Sequence, residues 1–170
     1  MLTMEYIASQ AESLVQQHGS RDPAAICNTL GIHLRFRDLG ASLKAYYFCQ
    51  SRIRVITVNN REDEYLQRVL LAHELGHDQL HRGSAMQEFS EMELFDLSSP
   101  YEYQANLFAS ALLIDDEILL GLLNDDLSFF GAAKELAVPP ELLDFKFRLL
   151  KRRGYHMEPL NFARADFLRQ

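Results

Sequence analysis

Tyr65-Leu66-Gln67-Arg68-Val69-Leu70-Leu71-Ala72-His73-Glu74-Leu75-Gly76-His77-Asp78-Gln79-Leu80-His81 is the stretch around which the rest of the chain is organised. Tyr65, Leu66, Val69, Leu70 and Ala72 set apolar side chains at helical spacing and lead into His73. Residues 73–77 fit the pattern H-E-x-x-H. Positions four apart on an α-helix lie one above the other on one face, so His73 and His77 can offer two imidazole nitrogens to one ion. Glu74 leaves the helix about 100° round from His73, where it can reach a water on the ion without ligating the ion itself. Two neutral nitrogens, a third ligand and one open position make a catalytic zinc site. The competing reading is a structural helix that happens to carry histidines. Gly76 bears on the choice, because glycine inside a helix costs about 1 kcal/mol relative to alanine. It makes sense there if another backbone or a substrate passes close by. His81 lies eight residues beyond His73, about 12 Å along the axis, so one ion cannot take all three histidines from a straight helix. His81 reads instead as a cation at the helix C-terminus, or as a residue packed against the site.

The chain has 170 residues, 48% of them hydrophobic, and a net charge of −7. That length suits one domain, or one domain with a small appendage. No apolar run is long enough to cross a membrane. Met1-Leu2-Thr3-Met4-Glu5-Tyr6 has neither the basic start nor the apolar core of a signal peptide, so the expected location is the cytoplasm. Cys27 and Cys49 have no framework spacing and read as reduced, core-packing thiols. The acidic balance argues against a general nucleic-acid coat, which needs a basic surface.

Two helices open the chain. The first, over residues 3–18, carries a stripe of Met4, Ile7, Ala8, Ala11, Leu14 and Val15 and stops at Gly19. Asp22-Pro23 is a start signal for the second, which ends at Gly31. Residues 32–37 alternate apolar with polar, and residues 43–49 and 53–58 are two further β-rich runs joined by Gln50-Ser51-Arg52. These predict three strands, as a meander, ahead of the motif helix. Metallopeptidases often hold substrate as an added strand on a sheet edge, and either hairpin strand is a candidate for that edge. Residues 85–97 are acidic and read as a short helix or a loop. Ser98-Ser99-Pro100 starts another helix. Beyond it come a short helix after Asp115 or Asp116, then a helix pair over 129–137 and 141–153. The pair has the outline of a helix-turn-helix, with Lys146, Arg148, Lys151, Arg152 and Arg153 as its basic residues. Against DNA reading stands a helical hairpin that closes the core. The fold class is α+β, with a small antiparallel or mixed three-stranded sheet packed on the motif helix and a mostly helical C-terminal half. The expected division is a core over 1–125 and a packed helical hairpin and tail over 126–170, with Phe162 and Phe167 docking on the body or a partner.

The third ligand is open on spacing alone. Glu102 would complete a His₂Glu set from a second helix. With Ser99 as N-cap it would equally complete a capping box. Glu88, Glu91 and Glu93 are further candidates.

His73-Glu74-Leu75-Gly76-His77-x-x-Leu80-His81, then Glu102-x-x-Ala105-Asn106-x-Phe108-Ala109 and Leu112-Leu113, resemble the ImmA/IrrE family of metallopeptidases. Lys44-Ala45-Tyr46-Tyr47 ahead of Ile56-Thr57-Val58-Asn59 matches its layout as well, and the likeness extends over roughly residues 3–155. It implies a zincin-like fold in which His73, His77 and Glu102 bind Zn²⁺ and Glu74 is the catalytic base. Members often carry a second glutamate just before the alanine, where this chain has Gln104. They also often carry Met-Pro after the paired leucines, where this chain has Ile114-Asp115.

The implied chemistry is peptide hydrolysis by a zinc endopeptidase. The ion lowers the pKa of a water toward about 7, Glu74 takes a proton as that water attacks, and one extra donor steadies the oxyanion. Tyr46, Tyr47, Tyr101, Tyr103 and His156 are candidates for that donor. The resemblance implies a protein substrate, a helix-turn-helix repressor of the Xre type whose cleavage relieves transcriptional repression. Two rival readings are a zinc-bearing module that docks on a repressor without cutting it, and a DNA-binding protein acting through its C-terminal helices.

Overall fold

The computed structural model describes residues 2–82, 88–91, 95, 99–125 and 127–156. The chain opens with α1 (Met4–His18) and α2 (Pro23–Thr29). Thr3 caps α1 through Tyr6 N, and Gly19 closes it in the left-handed conformation at φ 62°. Asp22 caps α2 through Ala24 N, with Pro23 in its first turn. Both ends follow from residue chemistry: a short side-chain oxygen satisfies an orphan N–H, and glycine adopts positive φ without strain.

Three strands follow where the alternation predicted them: β1 (His33–Arg37), β2 (Ala45–Gln50) and β3 (Ile53–Asn59). They do not form a meander. β3 pairs antiparallel with β2 on one side and parallel with β1 on the other. The chain therefore leaves β1, passes over the end of β3 and enters β2 from the far side. Asn59, at that end of β3 and 1% exposed, holds the crossing. Its side-chain amide donates to Gly40 O and Leu43 O, and its Oδ1 accepts from Leu39 N. A fourth strand, β4 (Glu88–Glu91), pairs antiparallel with β2, giving the order β1-β3-β2-β4. The acidic stretch expected to be a helix or loop thus contributes a strand. Both hairpin strands become interior, so neither supplies the sheet edge expected for substrate. The β2–β3 turn places Ser51 and Arg52 at φ 50° and 69°, the left-handed pair of a two-residue hairpin.

α3 (Glu64–His81) lies on the sheet. Asp63 caps it by accepting from Leu66 N at 2.7 Å. Ala45, Tyr47, Ile56 and Val58 face it from the sheet as part of one apolar core that runs from Ile7 in the first helix to Leu150 near the C-terminus. A buried carboxylate fixes the helix on its bed. Asp78 is fully buried and accepts from Tyr47 Oη at 3.0 Å, Arg54 Nη1 at 3.0 Å and Gln79 Nε2 at 2.6 Å. Arg54 also donates to Leu30 O, so the same contact ties in the end of α2. Tyr47 is therefore a structural clamp rather than an oxyanion donor.

α4 (Pro100–Leu113) packs against α3 on its other side, and also against α1. Gly76 explains how close the two helices come. A Cβ there would stand 3.2 Å from Ala105 Cα, Ala105 O and Phe108 Cδ1. The backbone that the mid-helix glycine anticipated is that of α4. Arg21 caps the far end of α4, donating to Ala111 O at 3.0 Å and Leu112 O at 2.9 Å while pairing with Asp115 at 2.7 Å. α5 (Asp116–Asn124), α6 (Phe129–Glu135) and α7 (Pro140–Arg152) complete the helical half, with α7 against α4. Three basic residues in and just after α7 face acids. Lys146, 2% exposed, pairs with Asp116, Arg148 with Asp144 at 2.7 Å, and Arg153 with Glu12 and Asp116 at 3.0 and 2.8 Å. Phe162 and Phe167 lie outside the described residues. No helix among those described is long and apolar enough to cross a membrane.

Candidate metal centre

The α3–α4 crossing brings three side chains to one point: His73, His77 and Glu102. His73 Nε2 and His77 Nε2 are 3.1 Å apart. Glu102 Oε2 is 3.0 Å from the first and 3.4 Å from the second. The two histidines come from successive turns of α3, and Glu102 from the first turn of α4. A carboxylate at a helix N-terminus is stabilised by the exposed N–H groups there. Ser99 caps the same turn through Tyr101 N at 3.2 Å. Glu102 Oε2 turns to the histidines, where it is placed to join them as a ligand.

The outer nitrogens of the two rings are turned to partners beyond the cluster. His73 Nδ1 lies 2.9 Å from Asn106 Oδ1, an acceptor that favours a hydrogen on Nδ1. His77 Nδ1 lies 3.0 Å from His81 Nδ1, and His81 Nε2 lies 3.0 Å from Gln104 Oε1. Burial holds the His77 imidazole neutral, with its pKa pushed down to about 4. Burial opposes ionisation of Glu102, but hydrogen bonds to His73 and His77 outweigh it and keep the carboxyl well below its usual range. Two ring nitrogens and a carboxylate oxygen then face one another within hydrogen-bonding distance. A cation among the three, a proton in the metal-free protein or a metal ion in the loaded one, lets them approach so closely.

The spacing suits a metal ion. Four-coordinate zinc, with ligand distances of about 2.0–2.2 Å, has ligand–ligand edges of about 3.3–3.6 Å. The observed edges of 3.0, 3.1 and 3.4 Å are near that range and slightly tight. Two nitrogens and one oxygen make a borderline donor set of the kind zinc takes.

The other residues singled out from the sequence are dispersed. Glu74 is fully buried on α3, directly after His73. His81 is not a ligand of the cluster; its ring packs edge-on against Tyr101 at 4.9 Å. Tyr103 turns away onto Phe145 of α7, with ring centroids 5.6 Å apart. Tyr46 is half-buried on the sheet, one residue from the core-facing Tyr47, and His156 is exposed beyond α7. Neither belongs to the cluster formed by the described residues His73, His77 and Glu102. Glu88 and Glu91 fall on β4, and Glu93 lies outside the described residues. Asn106 and Gln104 were not singled out as site residues by spacing. Their amides matter because of what α3 lays against them, and no local pattern in the sequence carries that.

Comparison with known proteins agrees with this geometry. Residues 27–148 match the family model described as Peptidase M78, IrrE N-terminal-like domain. The chain is 28% identical over 151 residues to Metallopeptidase ImmA of Bacillus subtilis (strain 168), covering 85% of each chain. It is 26% identical over 140 residues to Uncharacterized immunity region protein 2 of Bacillus phage phi105, covering 82% of this chain and 88% of the relative. With a matched span that runs from α2 through most of α7, and with the His-His-Glu cluster inside it, the chain belongs to the Peptidase M78 family of IrrE N-terminal-like metallopeptidases.

Proposed function

We propose that the chain is a zinc endopeptidase that cleaves a regulatory protein, with His73, His77 and Glu102 as ligands and Glu74 as the general base. The observation that carries this reading is the convergence of two ring nitrogens and a carboxylate oxygen within 3.4 Å of one another, with His73 Nδ1 turned outward to Asn106. When bound there, zinc supplies Lewis acidity to a peptide carbonyl and lowers the pKa of a water. The chain's own residues do the rest. Glu74 takes the proton of the attacking water on a carboxylate oxygen and hands it to the leaving amine. Burial of α3 around it excludes bulk water, which strengthens each electrostatic contact. Tyr101, partly exposed beside His81, is the tyrosine best situated to add a donor.

The relatives' names support a protease that acts in immunity regulation. One is a metallopeptidase and another a phage immunity-region protein. Within that role, the substrate that the family resemblance implies, and that is proposed for this chain, is a helix-turn-helix repressor whose cutting releases silenced genes. DNA binding through the C-terminal helices draws little support, since Lys146, Arg148 and Arg153 are paired with acids.

The test is incubation of the purified, zinc-loaded chain with the repressor encoded beside its gene, followed by mass spectrometry of the products. Defined fragments from wild type and none from Glu74→Gln, at equal zinc content, support the proposal. Intact repressor that co-purifies with the chain would replace it with the non-cleaving docking module. Fragments formed equally by Glu74→Gln would remove that residue from the chemistry.

A further inference from the structure

We propose that Gln104 and His81 are positioning residues that fix the tautomer of His77, leaving a lone pair on the Nε2 that faces the metal site. The inference rests on the metal-site reading above and extends it to two side chains that do not touch the ion.

Three buried groups stand in line: His77, 1% exposed, His81, 3%, and Gln104, 6%. The separations are 3.0 Å between the two Nδ1 atoms and 3.0 Å from His81 Nε2 to Gln104 Oε1. A neutral imidazole carries one N–H and one lone pair, so a hydrogen bond at one nitrogen dictates the role of the other. Gln104 Oε1 can only accept, which puts the His81 proton on Nε2. His81 Nδ1 is then a lone pair and accepts from His77 Nδ1–H. The His77 Nε2 lone pair is thereby turned toward His73 Nε2 and Glu102 Oε2.

Reversing the amide reverses every link. The Gln104 amide nitrogen would donate to His81 Nε2, His81 Nδ1–H would donate to His77 Nδ1, and His77 Nε2 would carry a hydrogen into the site. One amide rotation thus separates a ligand from a non-ligand. His73 has a one-step version of the same control in Asn106. α4 therefore supplies Glu102 and both of the amides that orient the α3 histidines. Outer partners of metal-bound histidines generally contribute 10–100-fold to affinity.

The experiment uses the full chain as wild type, Gln104→Met and Gln104→Glu. Methionine keeps the length and removes the acceptor; glutamate keeps an acceptor and removes the donor end. The first readout is the zinc dissociation constant by competition with a chelator. The second is the imidazole ¹⁵N spectrum of ring-labelled protein, which reports the protonated nitrogen of each histidine. The expected results are a roughly 10–100-fold weakening for Gln104→Met, near wild-type affinity for Gln104→Glu, and a wild-type spectrum with His77 protonated at Nδ1 and His81 at Nε2. Equal affinity and unchanged tautomers in a folded Gln104→Met protein would overturn the proposal. So would Gln104→Glu falling as far as Gln104→Met. If the wild type takes up no zinc, the metal reading fails by itself, and the metal-free spectra still decide the relay: His77 protonated at Nε2 overturns it.

Discussion

Substituting Gly76 by alanine tests whether the α3–α4 crossing sets the metal site. The new Cβ would sit 3.2 Å from two backbone atoms of Ala105 and from the ring of Phe108. Ordinary carbon contacts lie at about 3.5–4.0 Å, so α4 must retreat by a few tenths of an ångström. No rotamer change relieves this, because two of the three atoms are main chain and Phe108 is fully buried. Overpacking of this kind costs about 1–3 kcal/mol, while alanine contributes about 1 kcal/mol of helix propensity, so the net change runs from nil to a loss of about 2 kcal/mol. At about 2–4 °C per kcal/mol for a chain of this size, the thermal midpoint of the metal-free protein falls by at most about 8 °C. Metal binding suffers more. Glu102 and Asn106 ride on α4, and a site of this kind works within about 0.5 Å of its productive geometry. The expected outcome is a zinc dissociation constant raised about tenfold, equivalent to about 1.4 kcal/mol. Gly121→Ala is the control: that position, in α5, is exposed, has nothing within 4 Å of a new Cβ, and should gain up to about 1 kcal/mol. Calorimetry and chelator competition on both variants decide the matter. A Gly76→Ala protein that melts higher than wild type and binds zinc as tightly would refute the claim that this contact positions the ligands.

Three other expectations follow from the same coordinates. Asp78→Ala strands Arg54 under the sheet and should cost about 3–5 kcal/mol, read as the shift in urea midpoint; a loss below about 1 kcal/mol would mean water replaces the carboxylate freely. Ser51→Asn with Arg52→Gly should stabilise the β2–β3 hairpin by about 1 kcal/mol or more, since both positions have positive φ, and an unchanged melting point would count against this. The metal-free chain should weaken in acid. His77 is pushed down from 6.5 to about 4 by burial, so below pH 6.5 the unfolded chain takes up a proton that the folded chain refuses. The stability it contributes is full above 6.5 and lost as pH falls through 4, about 3 kcal/mol in all. Glu102, held below its usual range against the effect of its burial, adds to the loss only below about 4.5. Urea midpoints that stay flat from pH 7 to 4 would contradict the His77 shift.

The helices were legible because their signals are local. Asp22, Ser99 and Asp115 each cap the helix that their spacing announced. The His73–His77 pair was legible for the same reason, since four-residue spacing fixes a common face. Sheet order was not. The hydrophobic alternation in 33–37 says that a strand exists, and is silent on whether it lies beside β2 or β3. That choice is made by Asn59, whose amide binds the crossing loop from about twenty residues away in the chain. β4 escaped notice because Glu88-Phe89-Ser90-Glu91 is too short and too acidic to show a period, and its partner strand β2 lies far back in the chain. At the site, the spacing of Ser99 and Glu102 supports capping and ligation alike, and it is silent on which side chains lie opposite Glu102. The roles of Gln104 and Asn106 depend on which imidazole nitrogen lies opposite, a property of the docked pair of helices.

From Val69 to Asp78, α3 is buried at every position, with sheet on one side and α4 on the other. Most helices have a wet face along which sequence can drift, so tolerated changes recur once per turn. Here ten neighbouring positions share no such outlet. Diversification of this enzyme toward new targets therefore has to proceed on surrounding loops and outer helices, while its central rod stays nearly immobile in sequence.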